Sequence, residues 1–578
     1  MSRRALGAAV AVCLLPSLLC GDDPLSSYLR RRFHAEAVEM RELESLQQRI
    51  SDGKLHLRVR DFVELMLKNS TAIQSTRLDV YTAADQIVSA KAPYDPVLGA
   101  SFNTLRSVTP LFFGGGSGFS GVGSSSLTGG TGSGNSGTGG NNSSGSSLVL
   151  LPQTISSLTQ TTGVSYTQLL PTGQTISASF TGLRSSGDFY PFPAVFGILN
   201  FQLLQPLLQN RTNLQARAPL MIARTGLLVT SEQSEATIGV AVATSARQYW
   251  EAVALRDAIK VQRQTLELAQ KSYERDKLAL DLGALASLDI YQSQTQVAER
   301  KRDLVQAEYR YLVALDGLRR FIGADLTPQL RATEIVLDDD PSATAPHSEV
   351  LPFEAALQKA FEGRPELKAA DNRLSIDKIS AKLASDSLLP QLNLTVNGGS
   401  SGPSLSPAQT GSDGGMPVTP YPGYGQALRQ IFGFDFPSYG FGIALSFPFR
   451  NSPARAQLAD AYVNRTKDQY QKRQTEQDVT LEVRQAIDNI ELADASIGAA
   501  ITARDLARKN VDAEQQKYQL GTITAFELLD SQNRLANTEN ALLSAYVQYQ
   551  EAFVDYQHAT GTLLDGFGVI VEPPKGRF

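Results

Sequence analysis

The chain is poor in residues that perform covalent or metal chemistry. Its four histidines, His34, His56, His347 and His558, are scattered and form no ligand-spaced pair. The only cysteines are Cys13 and Cys20, so nothing beyond residue 20 can build a disulfide framework. No GxSxG nucleophile turn and no GK[ST] phosphate loop occurs. No cofactor is implied and catalysis is not expected. Chemistry of another kind is possible at Glu527 and Asp530. Three residues apart in a helical stretch, they share a face. Two carboxylates on one face attract cations, although an ordinary solvated helix face carries the same pair.

Composition narrows the remaining classes. The 578 residues carry a net charge of -5 with no basic block, which argues against a nucleic-acid partner. Mean hydropathy is -0.16, too low for a bundle of membrane helices. Arg3 and Arg4 followed by the apolar residues 5–19 read as a secretory signal over 1–20. Cys20 stands where a lipoprotein is acylated, but Leu19 precedes it where a small residue is wanted, so lipidation and ordinary cleavage both stay open. Beyond the signal, no run of 18 apolar residues exists. If the protein enters a membrane, strands carry it there.

The chain is written twice. Pro96 aligns with Pro390 and Leu98 with Leu392, an offset of 294. Further along, Gly283 aligns with Gly521 and Gly323 with Gly561, an offset of 238. The first copy therefore holds about 56 extra residues between its two matching parts. Residues 107–183 contain no charge, and within them 114–147 are mostly Gly, Ser, Thr and Asn. Such a tract cannot bury enough apolar area to offset its ordering entropy and reads as a loop.

Each copy reads helix, strand, loop, strand, long helix, helix. In the second copy Leu392, Leu394 and Val396 share one face against Asn393, Thr395 and Asn397. The returning strand sets Tyr439, Phe441, Ile443 and Leu445 against Gly440, Gly442, Ala444 and Ser446, with Phe447 and Phe449 continuing the apolar side. In the first copy 97–103 is the outgoing strand, and Leu199, Phe201 and Leu203 alternate with Asn200, Gln202 and Leu204 on the return. An apolar face beside a small or polar one suits strands between lipid and water. Four strands cannot close a barrel, and lipid does not tolerate an open edge, so several chains must join; three give twelve strands. A further hairpin-like pair, 162–168 and 175–181, either adds to the barrel or sits in the outer loop.

The helices are long. From residue 452 to 516 the one proline, Pro453, stands at the start, where a helix accepts it. Val479, Val483, Ala486, Ile490, Ala493, Ile497 and Ala500 step by four and three, a heptad seam. Some 65 residues of helix span roughly 100 Å. The first copy has the same layout over 219–280. In the return helices Val297, Leu304, Tyr311 and Leu318 match Leu535, Leu542, Tyr549 and Tyr556, and Gly323 and Gly561 end them.

With PELKAA and its downstream LLPQL, FQLLQPLLQNR, YGFGIALSFPFRN and YQLGTITAFELLDSQ, in this order and duplicated, the sequence resembles the TolC-like outer-membrane efflux protein family over 57–564. The resemblance implies a mixed, mainly α fold: a duplicated repeat of long antiparallel coiled-coil helices plus four transmembrane strands per chain. It implies a homotrimer with a 12-stranded barrel in the outer membrane of a Gram-negative-type cell, continued by an α-helical periplasmic tunnel. It further implies a passive exit duct of a tripartite efflux or type I secretion system, not an enzyme. The partners would be outer-membrane lipid, a periplasmic membrane-fusion adaptor and an inner-membrane transporter of RND, ABC or MFS type, with no nucleic acid. The competing reading is a coiled-coil surface or adhesive protein, which explains the heptads but not the duplicated strands.

The same resemblance assigns the helix tips. Glu527 and Asp530 become a cation ring at the periplasmic gate, with Glu where the family more often has Asp. Tyr518 and Asp289 become tip-closure residues, although Ile523 stands where some members place the arginine that latches onto the aspartate. The turns holding Leu282 and Gly283, and Leu520, Gly521 and Thr522, become adaptor contacts. The expected division is a signal at 1–20, an N-terminal periplasmic segment at 21–54 and a first repeat at 55–323 with its Gly/Ser-rich loop at 107–161. A linker at 324–350, a second repeat at 351–564 and a tail at 565–578 follow.

Overall fold

The computed structural model describes residues 50–51, 54–111, 153–187, 193–282, 289–323, 333–342, 350–403, 423–520 and 522–568. The signal, Cys20, the Gly/Ser tract 114–147, Gly283 and Gly521 lie outside them. The chain forms two compact units that cut across the repeats: 1–71 with 248–340, and 72–247 with 341–578.

The smaller unit is built on strands β1 (Ile50–Ser51), β2 (Lys54–Leu57) and β7 (Glu334–Leu337). β2 and β7 pair in parallel, so part of the expected linker 324–350 is a strand. Helix α1 (Val59–Asn69) buries Phe62, Val63, Leu65 and Met66. The Phe62 ring packs on Tyr249 at 5.7 Å and on Phe321 at 6.4 Å. The Tyr249 hydroxyl lies 2.9 Å from the Leu57 carbonyl and 2.8 Å from the Asp339 carboxylate. Burial, then the neighbouring Asp339 charge, pushes its ionisation far above the ordinary tyrosine range.

The larger unit holds a six-stranded antiparallel sheet in the order β3-β4-β5-β6-β8-β9. Its strands are β3 (Val97–Leu111), β4 (Gln153–Leu169), β5 (Thr175–Gly187), β6 (Ala194–Pro206), β8 (Gln391–Pro403) and β9 (Pro437–Ser446). The sheet holds six strands where four were expected. The hairpin-like pair is a full hairpin, β4–β5, inserted between β3 and β6. Strands β4 and β5 are longer than their alternating cores suggested, and β3 and β4 run into the two ends of the segment read as a loop at 107–161. Phe447 and Phe449 lie beyond the end of β9.

The duplication is visible in the helices. Helix α3 (Leu214–Asp281) and helix α8 (Ser452–Gln519) are each 68 residues long, about 100 Å, and begin and end 238 residues apart. Helix α3 starts before Pro219 and encloses it, earlier than the proline suggested. The return helices α4 (Asp289–Phe321) and α9 (Ala525–Ala559) also end 238 residues apart. Gly323 (φ 68) and Gly561 (φ 71) follow them in the left-handed region, where a side chain would be strained. The heptad seam is real: Val479, Val483, Ala486, Ile490 and Ala493 are buried. They join Tyr549, Ala552 and Tyr556 of α9 and Ala356 and Ala360 of helix α5 (Phe353–Gly363) in one core. Arg364, between α5 and helix α6 (Pro365–Asp386), ties this core together. It pairs with Glu482 at 2.7 Å and Glu366 at 3.2 Å and donates to the His558 carbonyl at 3.1 Å.

Candidate functional site

Two places carry the expected functional residues: the sheet and the helix tips. Antiparallel register carries each row of residues across all six strands on one face. One row runs Leu98, Tyr166, Ala178, Phe201, Gly398, Tyr439. The adjacent row, on the opposite face, runs Gly99, Ser165, Ser179, Asn200, Gly399, Ser438. One face is thus mainly apolar and the other mainly small, hydroxylated or amide-bearing. The only charges in the six strands are Arg106 and Arg184, which the register places on the apolar face, toward the end away from the long helices.

At the β9 edge the apolar side chains are bare. Tyr439 is 92% exposed and Phe441 80%, and every residue of β9 is exposed. A patch of this extent marks a surface meant for something other than water. The edges of the sheet are β3 and β9, with no further partner among the described residues.

Helix α7 (Tyr424–Gly433) lies on the apolar face and buries Ala427 and Ile431. Its seat is a row of three paired glycines, Gly182, Gly197 and Gly402. A Cβ on Gly402 would meet the Ala427 backbone carbonyl, and one on Gly197 the Ile431 side chain. This helix is a feature that strand alternation did not reveal.

At the tip of the second repeat, α8 ends at Gln519. The Thr522 amide and hydroxyl then bond to the Lys517 carbonyl at 3.0 and 2.9 Å. Thr524 caps α9. Its hydroxyl accepts from the Glu527 amide at 3.4 Å, and the Glu527 carboxylate accepts from the Thr524 amide at 3.1 Å, a reciprocal capping box. Asp530 pairs with Arg534 at 2.7 Å. Both expected gate carboxylates therefore have local partners that spacing from Gly521 did not predict. Leu520 is 78% exposed, and Phe526, which sequence reasoning passed over, is 62% exposed. Tyr518 is half-buried. In the smaller unit Leu282 is 75% exposed, and Asp289 opens α4. Just behind that tip Ser293 of α4 donates to the buried Asp276 of α3, an unexpected bond between the two helices. No cluster of three potential metal ligands occurs among the described residues.

The family model described as outer membrane efflux protein matches residues 356–562. That match covers most of the second repeat. Outer membrane protein TolC of Escherichia coli (strain K12) is 23% identical over 338 residues, covering 58% of this chain and 63% of the relative. TolC of Vibrio cholerae is 24% identical over 326 residues, covering 55% and 67%. The chain thus spans less than two thirds of the length of the Escherichia coli relative. In fold the likeness reaches nearly the whole chain. A membrane protein from Pseudomonas aeruginosa matches with TM-score 0.57 at 17% identity, over 91% of this chain and 96% of that one. The Campylobacter jejuni CmeC outer membrane channel matches with TM-score 0.56 at 13% identity, over 92% and 90%. The family model and the TolC relatives are of outer-membrane proteins.

Proposed function

We propose that three copies of this chain assemble into a passive exit duct through the outer membrane. One observation carries the reading: an unclosed sheet with bare apolar side chains along its β9 edge is attached to helices of about 100 Å. In hydrocarbon each unsatisfied backbone group costs several kcal/mol, so the β3 and β9 edges are tolerable only when other copies pair with them. The apolar face then meets lipid and the polar face lines water. A surface stalk would need the same helices but would leave Tyr439, Phe441 and Ile443 in water.

In this reading cargo enters at the helix tips from an inner-membrane transporter of RND, ABC or MFS type, through a periplasmic membrane-fusion adaptor. Tripartite efflux and type I secretion both use such a route. The bare apolar side chains Leu282 and Leu520 support adaptor docking at the tips, in the turns that include Gly283, Gly521 and Thr522. Tyr518 and Asp289 are proposed to hold the tip closed. Glu527 and Asp530 are proposed to form a cation-attracting ring, with its charge moderated because Arg534 offsets Asp530. The duct performs no covalent step, and the chain is not an enzyme.

The test is size-exclusion chromatography with light scattering in mild detergent, followed by recording in planar bilayers. A trimer that conducts is expected. A folded monomer that stays soluble without detergent would overturn the reading.

A further inference from the structure

The inserted hairpin changes the size of the pore. We propose that the trimer forms an eighteen-stranded barrel, whose lumen is wide and uncharged and passes bulky hydrated cargo irrespective of its charge. This rests on the duct reading above and extends it to the dimensions and chemistry of the lumen.

Continuity of register is the first argument. The hairpin is not a flap on the sheet. β4 pairs with β3 along the whole of β3, from Val97↔Thr167 to Leu111↔Gln153. β5 pairs with β6 from Thr175↔Leu204 to Ser185↔Ala194. No direct β3–β6 pairing remains among the described residues, so closing the sheet without the hairpin would require both ladders to break. Three copies of a six-stranded sheet give eighteen strands.

Anchoring of the turn is the second. The β4–β5 turn is tight, with Gly173 at φ 92 and the Leu170 amide bonded to the Gln174 carbonyl at 2.8 Å. It is held at the junction of strands and long helices. The Asn213 side chain, just before α3, donates to the Leu170 carbonyl at 3.3 Å and to the Tyr94 hydroxyl, just before β3, at 3.3 Å. At the same end the Leu207 amide bonds to the Leu392 carbonyl at 2.7 Å. The short turn thus lies at the helix end of the sheet, where β3 and β8 begin. Strands β4 and β5 therefore run the same span as their neighbours, at 17 and 13 residues, more than a tilted membrane strand needs.

Parity is the third. Inserting two strands preserves the antiparallel alternation, so β9 of one copy still meets β3 of the next in antiparallel sense. An odd insertion would not allow this.

Barrel diameter grows roughly linearly with strand number, so eighteen strands give a lumen about 1.5 times as wide as twelve. The hairpin widens the lumen without charging it. On the polar face it contributes Ser165 and Thr167 from β4, and Ser177 and Ser179 from β5. Neither Asp, Glu, Lys nor Arg occurs on that face of any of the six strands. A wall without charged rings imposes no electrostatic selection. Selection by charge is left to the tips, and the barrel filters by size alone.

Electron cryomicroscopy of the intact detergent-solubilised trimer tests this directly. Eighteen strands in cross-section are expected; twelve, with the hairpin folded outside or inside the wall, would overturn the proposal. A monomer or a non-conducting assembly would instead overturn the duct reading itself. A second measurement uses a variant lacking 153–187, in which β3 and β6 can pair directly and the alternation is kept. Neutral polymers added from the barrel side should be excluded from the variant at about two thirds of the diameter excluded by the intact trimer, with unchanged charge selectivity. Equal exclusion limits in conducting trimers of both would overturn the proposal, and should the variant fail to assemble, the strand count of the intact trimer decides.

Discussion

Thr524 and Glu527 cap each other: the hydroxyl of one and the carboxylate of the other each accept the partner's backbone amide at the start of α9. A carboxylate proposed to attract cations thus also holds its own helix end, and the two roles separate by substitution. Glu527→Gln keeps a capping side chain and loses the charge, whereas Glu527→Ala loses both. We expect Glu527→Ala to cost about 1 kcal/mol of local helix stability and Glu527→Gln much less. Both should weaken block by divalent cations in planar bilayers. Block that survives in Glu527→Gln and Asp530→Asn together would leave these residues as an ordinary helix start.

The two faces of β9 should respond oppositely to charge. Phe441 lies on the apolar face and is 80% exposed, while Ala444 lies on the polar one. Phe441→Arg should cost about 2–4 kcal/mol at mid-membrane depth and lower the yield of assembled trimer. Ala444→Lys should assemble normally and shift the reversal potential toward anions. Equal trimer yields from both variants, measured by unheated gel electrophoresis, would contradict the assignment of faces.

Seating of α7 depends on Gly402, because a methyl there would meet the Ala427 backbone carbonyl. Gly402→Ala should loosen α7 at a cost of about 1–3 kcal/mol, without disturbing the β6–β8 register. Faster cleavage near Arg429 by trypsin, in a trimer of normal mobility, is the expected sign. Protection equal to the parent's would show that the sheet and helix adjust together.

His558 should make the helical core acid-sensitive. Burial holds its ionisation below the ordinary histidine range, and the Arg364 guanidinium acts in the same direction. Glu482, Glu366 and Asp555 oppose this without reversing it. The unfolded chain therefore takes up a proton near pH 6.5, while the folded one does so only lower. The neutral histidine's contribution is full above 6.5 and is lost as pH falls from there toward the folded value. Asp555 shifts upward by burial and acts in the opposite sense, in the carboxylate range. The dissociation temperature of the trimer should fall between pH 7.5 and 5.5, and His558→Gln should shrink that fall. An unchanged pH dependence in the variant would remove His558 from the account.

Much of this molecule is local and hence legible in the chain. Heptad steps from Val479 to Ala493 depend only on helical periodicity, and the structure buries all five of those residues. Gly323 and Gly561 end their helices because only a residue without Cβ takes that backbone conformation without strain. Alternation in 391–397 and 439–446 told which side chains share a face, because a strand's period of two is intrinsic to its backbone. The capping box is likewise local, written as T-x-x-E at 524–527.

Neighbourhood, by contrast, was decided in three dimensions. Any antiparallel strand can in principle pair with any other, and alternation says nothing about which. The β4–β5 hairpin lies between β3 and β6 with its tight turn tied to Asn213 at the foot of α3, 43 residues away along the chain but adjacent in space. The seat of α7 needs Gly197 and Gly402, from two different strands, side by side, which only register can align. Periodicity belongs to the backbone and can be read along the sequence; strand order and side-chain pairing depend on long-range closure, and only the tertiary structure sets them.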